Sequence, residues 1–117
     1  MARQVDPFYH YTTRELAQEI IIRGELTPGR SGRIYLTDIL YRPGWQATDY
    51  LALPDKNAEV AFVIPRDRVV DTPRQIKPVL ALPGSNYRSA RNGGARQWVT
   101  SRPIDAKNLT VFELEVP

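Results

Sequence analysis

The sequence predicts a single α+β domain spanning residues 1–117. Helical patterning sits early in the chain, strand-like runs dominate the rest, and no regular strand-helix-strand alternation marks a parallel, doubly wound sheet. A chain of 117 residues with 42% hydrophobic and 25% charged content is enough for one domain with a modest core.

Phe8 to Tyr11 reads as a strand that ends at Thr12. Thr12 and Glu15 have the spacing of a capping box, and Leu16, Ala17, Ile20 and Ile21 recur at helical spacing. Gly24 supplies a stop, so a helix is expected over residues 13–23. Thr27-Pro28-Gly29-Arg30-Ser31-Gly32 is turn chemistry, and a short strand over residues 33–37 follows it. Pro43-Gly44 precedes an expected second helix over residues 45–53. Glu59-Val60-Ala61-Phe62-Val63-Ile64 is strand-like and stops at Pro65. Arg68-Val69-Val70-Asp71 is expected to extend a neighbouring pairing. Pro73, Pro78 and Pro83-Gly84 mark an irregular passage into a loop with Asn92-Gly93-Gly94. Residues 97–101 and 109–116 complete the strand set; in the latter, Val111, Glu113 and Glu115 alternate with Phe112, Leu114 and Val116.

Composition removes several chemistries. The chain has no cysteine and one histidine, which argues against disulfides, a catalytic thiol and a thiolate or histidine-based metal centre. No metal is expected. No run approaches the roughly 18 apolar residues of a membrane span, and Met1-Ala2-Arg3-Gln4-Val5-Asp6 lacks the apolar core of a signal peptide. Neither a G-x-G-x-x-G fingerprint nor a P-loop is present. Chemistry is left to carboxylates, hydroxyls, Arg or a bound cofactor. The net charge of +3 is concentrated locally: Arg88, Arg91, Arg96 and Arg102 fall in a stretch without Asp or Glu. That stretch is either a solvated basic loop or a surface for phosphate or an acidic partner.

Two aromatic segments point to a nucleotide. In Phe8-Tyr9-His10-Tyr11-Thr12 a histidine flanked by tyrosines can hydrogen-bond a sugar. In Gly32-Arg33-Ile34-Tyr35-Leu36-Thr37-Asp38 a tyrosine between Ile and Leu forms a rigid stacking platform. Read apart, His10 is equally a packed strand-end histidine, Tyr35 a half-buried strand tyrosine, and Asp38 a turn cap. Together they suggest NAD.

The ordered set of a strand with His, a helix, a strand with Gly32-x-x-Tyr35-Leu36-x-Asp38, a helix with Tyr50 and a late strand after a Gly-rich loop resembles the ADP-ribosyltransferase superfamily. The similarity is to its H-Y-E or H-Y-D branch, which contains the diphtheria-toxin and poly(ADP-ribose) polymerase-like proteins and small bacterial toxin domains. The resemblance implies a split antiparallel β-sheet with two or three short helices. It implies that His10 binds the adenosine-side ribose of NAD, that the backbone of Tyr11 and Thr12 meets the nicotinamide amide, and that Tyr35 stacks on nicotinamide. Tyr50 matches a second stacking ring, and it also reads as a core-facing helix aromatic.

At the third signature position the family carries Glu or Asp, and this chain carries Gln97, after Asn92-Gly93-Gly94-Ala95-Arg96. A carboxylate there stabilises the positive charge that develops on the ribose as the nicotinamide bond breaks. A glutamine can hold the ribose hydroxyl without supplying that charge, so turnover is expected to fall by about a hundredfold or more. Gln97 is then an inactivating replacement, a natural glutamine in a member that uses another carboxylate such as Glu113, Asp105 or Asp38, or a solvated strand-edge residue outside the signature.

The resemblance implies acceptor selection by the preceding loop, where Tyr87, Arg88 and Arg91, with Arg96, suit a phosphate-rich acceptor. The expected function is NAD-dependent mono-ADP-ribosyl transfer to a protein or nucleic acid. The expected setting is a bacterial toxin domain, a piece of a larger secreted effector that acts in the cytoplasm of a target cell, with a cognate immunity protein and no membrane partner. The alternatives are an NAD glycohydrolase, a silent module that binds NAD, ADP-ribose or RNA, and an RNA 2′-phosphotransferase-like activity.

Overall fold

The computed structural model describes residues 7–29, 32–43, 58–76 and 96–115. The expected second helix with Tyr50, and the loop with Arg88 and Arg91, lie outside the described residues.

The first strand, β1 (Phe8–Thr12), leads into helix α1 (Arg14–Arg23) and two short strands, β2 (Glu25–Leu26) and β3 (Ile34–Leu36). The second half supplies β4 (Val60–Ile64), a 3-10 turn (Arg66–Arg68), β5 (Arg74–Ile76), β6 (Gln97–Thr100), β7 (Ile104–Asp105) and β8 (Thr110–Glu113). The described residues form an α+β structure whose strands are antiparallel and lie in three sheets, ordered β1-β4-β8, β2-β7 and β3-β6-β5.

Alternation along β1 and β4 explains how one sheet serves two cores. Phe8 pairs with Ile64, His10 with Phe62 and Thr12 with Val60, so these side chains share one face. There Phe8, Val60, Phe62 and Ile64 pack with Ala17 and Ile20 of α1 and with Leu26, Ile34, Leu36 and Ile104. On the opposite face Tyr11 and Ala61 join Ala58 and Leu114, with Tyr9, Ile39 and Tyr41 at the edge. The Phe8 ring lies 5.3 Å from that of Trp98, and the Arg66 guanidinium covers the Phe8 ring at 4.2 Å.

Helix α1 starts one residue later than the capping-box spacing indicates. Thr12 is the last residue of β1, and Thr13 is the cap, its hydroxyl accepting from the Leu16 N–H at 3.3 Å. The strand takes Thr12 because its carbonyl accepts from the Glu59 N–H at 3.0 Å, fixing it in the sheet. Gly24 ends the helix as expected, at φ +75°, donating to the Ile20 and Ile21 carbonyls. Two further expectations are corrected. Residues 68–71 form no strand; the chain turns at Arg66–Arg68 and pairs only at β5. The last strand is shorter than residues 109–116, and β7 precedes it as a two-residue partner of β2.

Candidate functional site

Strands β1 and β3 are joined at one point and separate beyond it. The Tyr9 N–H donates to the Thr37 carbonyl at 2.7 Å and the Thr37 N–H to the Tyr9 carbonyl at 3.1 Å, an isolated bridge between the two larger sheets. In an antiparallel ladder the next such pair falls two residues on, at Tyr11 and Tyr35. No bridge forms there. Instead, Nδ1–H of His10 donates to the Tyr35 carbonyl at 2.9 Å. The imidazole takes the Tyr35 carbonyl in place of a backbone donor, and the Tyr11 N–H and C=O, which share the direction of those of Tyr9, face the opening.

This bond fixes the chemistry of His10. A carbonyl only accepts, so Nδ1 carries the proton and, in the neutral ring, Nε2 is left as an acceptor. Burial pushes the His10 pKa below its ordinary value of 6.5 against the opposing pull of the Tyr35 carbonyl, so the ring is neutral at pH 7.

The opening leads into a cleft of about 520 Å³, within the roughly 300–1,000 Å³ range of small-molecule sites. His10, Tyr11 and Thr12 line one wall, Ile34 and Tyr35 another, and α1 contributes Leu16, Glu19, Ile20 and Arg23. The four α1 residues follow i, i+3, i+4, i+7 spacing, which puts them on one helical face. Glu19 and Arg23 are cleft residues absent from the motif reading, and Arg33 lies inside the Gly32–Asp38 segment without a role in it. The signal for Glu19 and Arg23 was their placement on the same helical face as Leu16 and Ile20.

The other sequence candidates fall as follows. The Tyr11 side chain turns away from the opening: its hydroxyl donates to the Ile39 carbonyl at 2.8 Å and accepts from the Tyr41 N–H at 2.6 Å. Burial drives its pKa well above the usual phenol range. Thus only the main chain of Tyr11 is offered to the opening. Tyr35 is 39% exposed.

Gln97 opens β6, is 4% exposed and does not line the cleft. The register nevertheless relates it to Tyr35. Tyr35 pairs with Val99, so Gln97 lies on the same sheet face as Tyr35 at the diagonal position, where Cβ atoms are roughly 7–8 Å apart. Arg96, just before it, is held by Asp38 at 3.2 Å, and its carbonyl accepts from the Thr37 hydroxyl at 2.7 Å.

The three alternative carboxylates are all engaged. Asp38 pairs with Arg96, Asp105 with Arg68 at 3.6 Å, and Glu113 with Arg14 at 2.7 Å. Among the described residues no group of three His, Asp or Glu side chains is arranged to hold a metal ion, and no helix is long and apolar enough to cross a membrane.

Comparison with known proteins found no matching family model, no matching curated protein and no matching solved structure.

Proposed function

We propose that this chain is an NAD-dependent mono-ADP-ribosyltransferase with a split-sheet transferase fold, acting as a bacterial toxin domain on a macromolecular acceptor. One observation carries the reading: the His10 bond to the Tyr35 carbonyl, which leaves a ring acceptor and a peptide edge without a partner among the described residues at the same strand opening.

The groups of NAD match these features separately. The neutral His10 Nε2 accepts from an adenosine-side ribose hydroxyl. The Tyr11 N–H and C=O complement a carboxamide, which has one acceptor oxygen and two amide hydrogens. The Tyr35 ring offers a stacking face for nicotinamide; Gln97, diagonal to it across β3 and β6, would have to turn out of its buried position to reach the adjoining ribose. The bond between the ribose C1′ and the nicotinamide nitrogen breaks with its electron pair leaving on nicotinamide. The ribose cation is then attacked by an acceptor nucleophile, which loses a proton.

A second reading is favoured by the carboxylates. With Gln97 neutral and Asp38, Asp105 and Glu113 each in an ion pair, a silent NAD-binding module fits the same geometry. Incubation with labelled NAD, followed by mass spectrometry of free nicotinamide, proteins and RNA, separates the two readings. Transfer by the wild type supports the transferase, free ADP-ribose alone marks a glycohydrolase, and binding without turnover marks the silent module. Gln97→Glu is expected to raise turnover about a hundredfold, the scale of a single electrostatic catalytic group. No gain would remove Gln97 from the signature.

A further inference from the structure

We propose that Arg23 and Arg33 form an anion subsite on the rim of the cleft, taking the diphosphate bridge of a dinucleotide. This deepens the NAD reading and rests on it for the identity of the ligand, although not for the anion chemistry.

Both arginines line the cleft that holds His10. Arg23 lies in the last turn of α1 and Arg33 immediately precedes β3, so they approach from two different walls. The cleft between them has an apolar lining in Leu16, Ile20, Leu26 and Ile34, which lowers the local dielectric and strengthens a charge contact. Arg14, Arg68 and Arg96 are each committed to a carboxylate. Arg23 makes no side-chain ion pair or hydrogen bond among the described residues, so its guanidinium donors are available to a ligand.

Glu19 sets the polarity of the cleft. With His10 neutral, the charged lining residues are Arg23, Arg33 and Glu19, a sum of +1. Glu19 sits four residues before Arg23, which is about 6 Å along a helix axis. An anion is therefore favoured towards Arg23 and Arg33, while Glu19 accepts only from ligand hydroxyl or amino groups. A ligand with an anionic bridge and hydroxylated ends that carry no negative charge satisfies both requirements; a uniformly anionic one does not. Guanidinium groups suit phosphate oxygens because their fork of donors matches two oxygens at once.

The test uses calorimetric titration of wild type, Arg23→Gln and Arg33→Gln with NAD, ADP, adenosine and inorganic pyrophosphate. The expected result is about a tenfold loss of affinity for NAD, ADP and pyrophosphate in either variant, the scale of one charge-assisted hydrogen bond. Adenosine affinity should be unchanged, and the salt dependence of ADP binding should weaken in both variants. Undiminished NAD binding in both variants overturns the subsite and leaves the NAD reading standing. Arginine-dependent pyrophosphate binding without NAD binding keeps the subsite and removes the NAD reading. A wild type that binds none of the four ligands removes both.

Discussion

Replacing Tyr11 with Phe tests whether the opening between β1 and β3 is braced from behind. The Tyr11 ring is 7% exposed, and its hydroxyl sits between the Ile39 carbonyl at 2.8 Å and the Tyr41 N–H at 2.6 Å. Phe preserves the ring and its packing against Tyr41, whose centroid is 6.2 Å away, but leaves a partly buried donor and acceptor unmatched. At about 1–1.5 kcal/mol for each lost bond and its unsatisfied partner, Tyr11→Phe should destabilise the fold by about 2–3 kcal/mol. For a domain of this size that corresponds to a fall of about 8–12 °C in Tm. Differential scanning calorimetry gives the stability, and hydrogen exchange should show the Tyr41 amide losing protection. A Tm within about 2 °C of wild type would refute the brace, since that change is under 1 kcal/mol.

Three other outcomes are expected. Thr13→Ala removes the N-cap hydroxyl bond to the Leu16 N–H and should cost about 1 kcal/mol of stability, read as a lower Tm, whereas Thr12→Ala should cost α1 no cap. Tyr35→Ala, at a residue 39% exposed, should weaken nicotinamide binding by about 1 kcal/mol, roughly fivefold, with little change in Tm; equal affinity would remove the stacking role. The His10 pKa is lowered in the folded state, so below pH 6.5 the unfolded chain takes up a proton that the native ring resists. Stability should therefore fall as pH drops from 6.5 towards the depressed native value, and His10→Gln should reduce that slope. NAD affinity should hold constant down through pH 6.5 and fall only below it, as Nε2 gains a proton; a midpoint at or above 6.5 would contradict a desolvated ring.

What could be read from the sequence was what local patterning encodes. Val60–Ile64 is a run of β-branched and apolar residues closed by Pro65, and Leu16, Ala17, Ile20 and Gly24 mark both the buried face and the end of α1. The two-residue strands β2 and β7 are too short to have a period; they exist because Glu25 and Leu26 meet Asp105 and Ile104 across the fold. The cap moved from Thr12 to Thr13 because the Glu59 N–H claims the Thr12 carbonyl, a contact between residues far apart in sequence. At the site, His10 was legible as a candidate because it is the single histidine of the chain, and Tyr35 because it stands between Ile34 and Leu36 in a strand-like run. Their direct bond could not, since it runs from a side chain to a main-chain carbonyl. Glu19 and Arg23 were legible only as charges on an apolar helical face.

The proposed NAD site requires His10 to be a neutral, Nδ1-protonated ring whose Nε2 meets NAD. Because the chain contains a single histidine, nitrogen-15 NMR of the imidazole reports that ring without ambiguity. At pH 7 the expected spectrum shows a protonated Nδ1 and a bare Nε2 in the free protein, with the Nε2 resonance shifting as it accepts a ribose hydroxyl when NAD is added to saturation. A protonated Nε2 in the free protein, or an imidazole spectrum unchanged by saturating NAD, would contradict it.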